Sequence, residues 1–154
     1  RMRYLVDGYN VVKADPATRD LEPEAQREAL VARLAVRGRD MLGRGEIVVI
    51  FDGQPGGGPT VRRSGIAVRF SSGEPADEII VRLVTGAGDA VVTSDGGLAA
   101  RVRAAGGAVI EASACFDGVR TRRRMRYPAR TVGVPPGAAE ITRELEKLWL
   151  EDGE

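Results

Sequence analysis

The chain has 154 residues, 43% of them hydrophobic, with 23 basic side chains against 22 acidic ones. That length supports one domain with a real core, while a formal charge of +1 gives no global attraction to nucleic acid. The absence of histidine excludes Ser-His-Asp and Cys-His catalysis and histidine-bound zinc, and a single cysteine excludes an internal disulfide or a thiolate cluster.

In chain order, residues 3–6 read as a buried strand ended by the turn-forming Asp7-Gly8, with DGYN (7–10) as a tight turn. Across residues 23–42, Leu30, Leu34 and Met41 recur at helical spacing. Glu22 and Glu24 stand at the positive end of that helix dipole, and Gly43 and Gly45 stop the helix. Residues 47–51 form an uninterrupted apolar run, typical of a strand covered on both faces. Residues 53–59 hold four glycines and two prolines, an irregular loop. Next come a strand at 68–70, a helix after Pro75 with Ile79, Ile80, Leu83 and Val84 on one face, and a strand at 90–93. A helix at 98–105 and a fifth strand at 109–110 follow.

The order βαββαβαβ predicts an α/β fold, a three-layer sandwich around a mostly parallel sheet. Residues 2–117 are expected to form this domain. Residues 118–137 are arginine-rich and then proline- and glycine-rich, and 138–150 read as a last helix with Ile141, Leu145 and Leu148 on one face. Cys115 reads as a small buried hydrophobe. No run approaches the ~20 apolar residues of a membrane span and no signal peptide is visible. A cytoplasmic protein is therefore expected. Arg1 stands ahead of Met2, as a remnant or a cut from a longer chain would.

Four aspartates fall where an apolar segment gives way to a turn or a helix start. Asp7 ends YLVD, Asp52 ends IVVIFD, Asp77 opens ADEIIVRLV, and Asp95 ends VVTSD. In an α/β sheet such positions converge at one edge, where sites form. Clustered carboxylates repel one another and suit a hard cation, Mg²⁺ or Mn²⁺, that activates water against a phosphodiester. Taken singly, each is as well explained as a cap or turn residue; Asp95 is placed to cap the helix beyond it. Asp15, Asp20, Asp40, Asp89 and Asp117 lie off this edge. Asn10 is placed to orient a carboxylate, a water or a phosphate, or to cap backbone. Ser94 is the candidate hydrogen-bond donor beside Asp95, and Thr93 ranks below it. Arg120, Arg122, Arg123, Arg124 and Arg126 form the densest cationic run, a candidate phosphate-binding surface or else a solvated face, with Tyr127 beside them to stack on a base.

The motifs YLVDGYNVV, VVIFDG, PADEIIVRLV and VVTSDGGLA, in that order, resemble the YacP-type NYN domain of the PIN-like nuclease superfamily across residues 3–117. The resemblance implies an acidic metal site for RNA cleavage, formed by Asp7, Asn10, Asp52, Asp77 and Asp95 with Ser94 in support. Some relatives of that kind look ribosome-associated. Two positions depart from the family pattern: Gly96-Gly97 replaces a charged residue after TSD, and Glu78 stands where a second aspartate is common. The expectation is a metal-dependent endoribonuclease, with RNA and the ribosome as partners. Its rival is a non-catalytic RNA- or ribosome-binding module whose acidic site is vestigial. A small-molecule phosphohydrolase ranks last, because Asp7 is followed by Gly-Tyr-Asn rather than a DxDxT pattern. Oligomeric state is left open.

Overall fold

Six strands and four helices account for most of residues 2–53, 61–63 and 65–118, which are the residues that this computed structural model describes. The strands are β1 (Met2–Asp7), β2 (Gly45–Phe51), β3 (Val61–Arg63), β4 (Ile66–Phe70), β5 (Asp89–Val92) and β6 (Ala108–Ile110). The helices are α1 (Gly8–Ala14), α2 (Pro23–Met41), α3 (Ala76–Leu83) and α4 (Gly96–Ala104), and a 3-10 turn covers Ala112–Cys115. The five strands of the order β4-β2-β1-β5-β6 are parallel, and β3 joins the outer side of β4 antiparallel.

Period-two alternation sends each strand's side chains to two separate cores. Tyr4, Val6, Val49, Phe51, Val68 and Val92 face α1, α2 and the 3-10 turn. Leu5, Val48, Ile50, Ala67 and Val91 face α3 and α4. The expected three-layer α/β sandwich with a mostly parallel sheet is therefore the observed one. Within the sheet, β1 lies between β2 and β5, and the chain passes from one side of β1 to the other after β4. The crevice beyond the carboxyl ends of β1 and β5 is thus a topological switch point, where open α/β sheets place their sites.

The main departure from the sequence reading is α1. DGYN is the opening of a helix, not a tight turn. Glycine and two β-branched valines have poor helix propensity, but Val11 and Val12 are fully buried, worth about 1.5–3 kcal/mol each. Tertiary burial overrides local preference here. Gly8 is required at this corner because a β-carbon there would collide with the Phe51 ring. The strand β3 and the 3-10 turn are also additions, both too short to carry a periodic signal. Cys115 is fully buried, and burial pushes its thiol up to about 12, which suits the packing role expected of it. Most of the glycine-rich loop, the arginine run and the expected C-terminal helix lie outside the described residues.

Candidate active site at the carboxyl edge of the sheet

β1 ends in Asp7, which also opens α1 but spends no side-chain bond on capping it. Its Oδ2 accepts a hydrogen bond from Thr93 Oγ1 at 2.9 Å. Thr93 lies just past β5, is 1% exposed, and its hydroxyl also accepts the Asp95 backbone N–H at 3.1 Å. A hydroxyl can donate once and accept at the same time, so this one group ties the exits of β1 and β5 across the switch point.

Asp95 caps α4: its Oδ1 accepts from the backbone N–H of Gly97 at 2.9 Å and of Leu98 at 3.2 Å. The capping role open to it in the sequence is real, and the side chain remains solvent-exposed. Asp52 follows β2, and its Oδ1 accepts from Ser71 Oγ at 3.2 Å and from Ala76 N–H at 3.1 Å. Ser71 is fully buried and also accepts the Gly53 N–H at 2.8 Å through its hydroxyl. Gly53 has φ +84°, a left-handed conformation that glycine adopts without strain. Asp77 lies in the first turn of α3 with Oδ1 buried and without a hydrogen-bond partner among the described residues.

These four carboxylates feel one another. Burial pushes the Asp7 carboxyl up to about 6; the Thr93 hydrogen bond opposes the rise, and the charges of Asp95, Asp77 and Asp52 add to it. Among the described residues, none of the four forms an ion pair with lysine or arginine. An orphaned buried oxygen, mutual repulsion and an all-oxygen donor set fit a hard divalent cation. Among the described residues, no three histidine, cysteine, aspartate or glutamate side chains are grouped closely enough to hold a metal ion together. The fit therefore rests on one or two of these carboxylates, which is what Mg²⁺, an ion that keeps much of its water, requires.

Asn10 and Ser94 meet each other rather than the carboxylates. Asn10 Oδ1 accepts from Ser94 N–H at 2.8 Å and from Ser94 Oγ at 3.0 Å, which pins the Thr93-Ser94-Asp95 turn to α1. The Asn10 amide nitrogen has no bond among the described residues. Glu78 is engaged elsewhere, with both oxygens accepting from the Arg101 guanidinium at 3.1 and 3.2 Å. Arg120, Arg122, Arg123, Arg124 and Arg126 lie outside the described residues. Sequence reasoning ranked Thr93 too low and missed Ser71. A β-branched residue ending an apolar run reads as strand, and Ser71 reaches Asp52 only through the pairing of β2 with β4.

The family model for the YacP-like NYN domain matches residues 4–129. Two crystal structures of Rae1 (YacP) from Bacillus subtilis are similar. The W164L mutant is 25% identical with a TM-score of 0.64, covering 97% of this chain and 91% of that one. The other is 22% identical with a TM-score of 0.59, over 99% and 84% of the two chains, and its likeness concerns the fold alone. No curated protein sequence matches.

Proposed function

The chain belongs to the YacP-like NYN domain family, and we propose that within it this protein is a Mg²⁺- or Mn²⁺-dependent endoribonuclease. Family membership supports a nuclease-like, RNA-related function at the coarser level. The observation that carries the finer reading is Asp7, half-buried, bonded to Thr93 and repelled by three further carboxylates at the switch point.

Asp7, Asp52, Asp77 and Asp95 would hold the cation, directly or through water. Bound there, it supplies water activation and charge neutralisation at the scissile phosphodiester. The chain's own residues do the rest. Thr93 orients Asp7 through its bond to Oδ2, which leaves Oδ1 for the cation. Asn10 keeps the Ser94 turn in place, with its amide N–H groups available to a phosphate oxygen. Ser71 and the start of α3 fix Asp52. RNA is the substrate class, with Arg120, Arg122, Arg123, Arg124 and Arg126 as a backbone-binding run. A cytoplasmic location, expected from the sequence without a membrane-span or signal-peptide pattern, and an association with the ribosome, which rests on the family resemblance, complete the reading. No helix among the described residues is long and apolar enough to cross a membrane.

The test is Mn²⁺ titration calorimetry on the wild-type chain and on the double variant Asp7→Asn, Asp95→Asn, followed by cleavage of labelled RNA. Saturable binding and cleavage, both lost in the double variant, are expected. RNA binding without metal binding or turnover in the wild type would replace this reading with the non-catalytic module.

A further inference from the structure

The acidic edge has a problem that its carboxylates cannot solve: it must admit a polyanion. On the opposite lip of the same edge, facing α1 and α2, stands a group of different chemistry. Arg27 of α2 is half-buried, donates from NH1 to the Tyr9 hydroxyl at 2.8 Å, and lies over the Phe70 ring at 5.8 Å from its centroid. Phe51 supports both rings, with centroids 5.0 Å from Tyr9 and 5.7 Å from Phe70. Tyr9 comes two residues after Asp7, Phe51 directly precedes Asp52, and Phe70 directly precedes Ser71. The guanidinium therefore links the start of α1, just after β1, to the end of β4, with Phe51 of β2 packed between the two rings.

Several of the described arginines, Arg3, Arg33, Arg82 and Arg101, are paired with a carboxylate. Arg27 takes neutral partners instead, a phenol and a benzene ring. Its charge is held in place but not compensated among the described residues. A guanidinium has five N–H donors in a rigid plane; one is used on Tyr9, and the stack on Phe70 restrains the plane. Exposed Lys13, with Nζ 5.3 Å from the Tyr9 ring centroid, adds a second positive charge to the same lip.

We propose that Arg27, braced by Tyr9 and Phe70, binds a backbone phosphate of the RNA strand that crosses the acidic edge. The role rests on the nuclease reading for its substrate class and adds a binding residue outside the carboxylate group and the arginine run. Planar, fork-shaped donors match phosphate oxygens in pairs, and restraint before binding lowers the entropy lost on contact.

The experiment measures binding of a fluorescein-labelled oligouridylate by anisotropy in EDTA, across a KCl series. Each phosphate contact to a single strand contributes about 0.7 to the slope of log K against log salt. Arg27→Gln is expected to lower the slope by about that amount and to weaken binding at the lowest salt by roughly tenfold. Arg27→Lys keeps the slope and recovers only part of the affinity. Tyr9→Phe keeps the slope, because the charge remains, and weakens binding through the lost brace. With Mn²⁺ present, Arg27→Gln raises KM by a larger factor than it lowers kcat. An unchanged slope in folded Arg27→Gln overturns the proposal, and so does unchanged affinity in Tyr9→Phe should the first variant fail to fold. Either result leaves the nuclease reading standing if the wild type still cleaves RNA. A wild-type chain that neither binds nor cleaves RNA overturns both.

Discussion

Asp15 and Asp89 are as buried as side chains in the hydrophobic core, at 1% and 4% exposure, yet each is fully partnered. Asp15 accepts from Arg33 NH1 at 3.0 Å and from the backbone N–H groups of Ala17 and Asp117, both at 2.9 Å. Asp89 accepts from Arg3 Nε at 2.8 Å and from Thr85 N–H and Oγ1 at 2.7 and 2.9 Å. Burial works to raise the Asp89 carboxyl, but bonds from Arg3 and Thr85 and the Arg3 charge hold it below the usual range. At the carboxyl edge the same side chain meets hydroxyls and backbone amides, and among the described residues no arginine or lysine pairs with it. A fold that can neutralise two deeply buried aspartates has the means to neutralise others. Leaving four without such a partner among the described residues concentrates negative potential at one edge of the sheet, a charge that a bound cation would share.

The sharpest contrast comes from removing a partner at the bracing position. Arg33→Met leaves Asp15 buried and unpaired and also strips the Cys115 carbonyl of its 2.7 Å donor. A loss of about 3–5 kcal/mol is expected in urea denaturation, with Mn²⁺ affinity unchanged in the fraction that remains folded. At the edge the sign reverses. Asp7→Asn should lower RNA cleavage about a hundredfold or more while stabilising the metal-free fold. The folded Asp7 carboxyl ionises near 6 against 3.8 for the ordinary group. Its protonated form is thus favoured by folding, a contribution present below about pH 4 and lost as pH rises through 6. Around pH 8 in EDTA the variant should therefore exceed wild type by about 1–3 kcal/mol, and the gain should vanish below about pH 4. Saturating Mn²⁺ should close the gap by stabilising only the wild type. A variant no more stable than wild type at the higher pH would mean that the edge carboxylates do not strain the fold.

This contrast was half legible in the chain. The positions of Asp7, Asp52 and Asp95 follow from apolar runs that end at or near a carboxylate, because a parallel sheet lines up the carboxyl ends of its strands, and Asp77 follows from opening the helix-like run after Pro75. Asp89 was set aside for the same reason, since it enters β5 from the other end. What periodicity could not reveal is which carboxylate meets an arginine. Arg33 lies 18 residues from Asp15, and Arg3 lies 86 from Asp89. Such pairs exist only after the layers assemble. The helix α1 was hidden for a related reason: GYNVVKA has little propensity of its own, and the buried faces of Val11 and Val12 supply what the local sequence lacks. Thr93 was undervalued because its function depends on the oxygen that its strand-like context obscures.

A smaller effect tests the link between the two sides of the switch point. Thr93→Val keeps shape and removes the hydroxyl that serves Asp7 and the Asp95 N–H. The variant should lose about 1 kcal/mol near neutral pH from the unmade bonds. Because that hydrogen bond lowers the Asp7 carboxyl, its removal should move the acidic limb of the cleavage profile to higher pH. An unmoved limb would separate Asp7 from the activity that the limb reports.

The smallest effect is expected one residue from the site. Glu78 and Asp77 are neighbours in the first turn of α3, and chain position alone makes both candidates for a cation. Their surroundings divide them. The Asp77 Oδ1 is buried without a donor, whereas the Glu78 carboxylate is held below its usual range, first by its hydrogen bonds from Arg101 and then by that residue's charge. An exposed pair of this kind contributes little to stability, because water and salt screen it. Glu78→Gln should leave the melting temperature, Mn²⁺ affinity and cleavage rate close to wild type, while Asp77→Asn weakens metal binding. Equal losses from the two substitutions would show that Arg101 releases Glu78 when the cation arrives. The line between bracing and site carboxylates would then be drawn by the ion rather than by the fold.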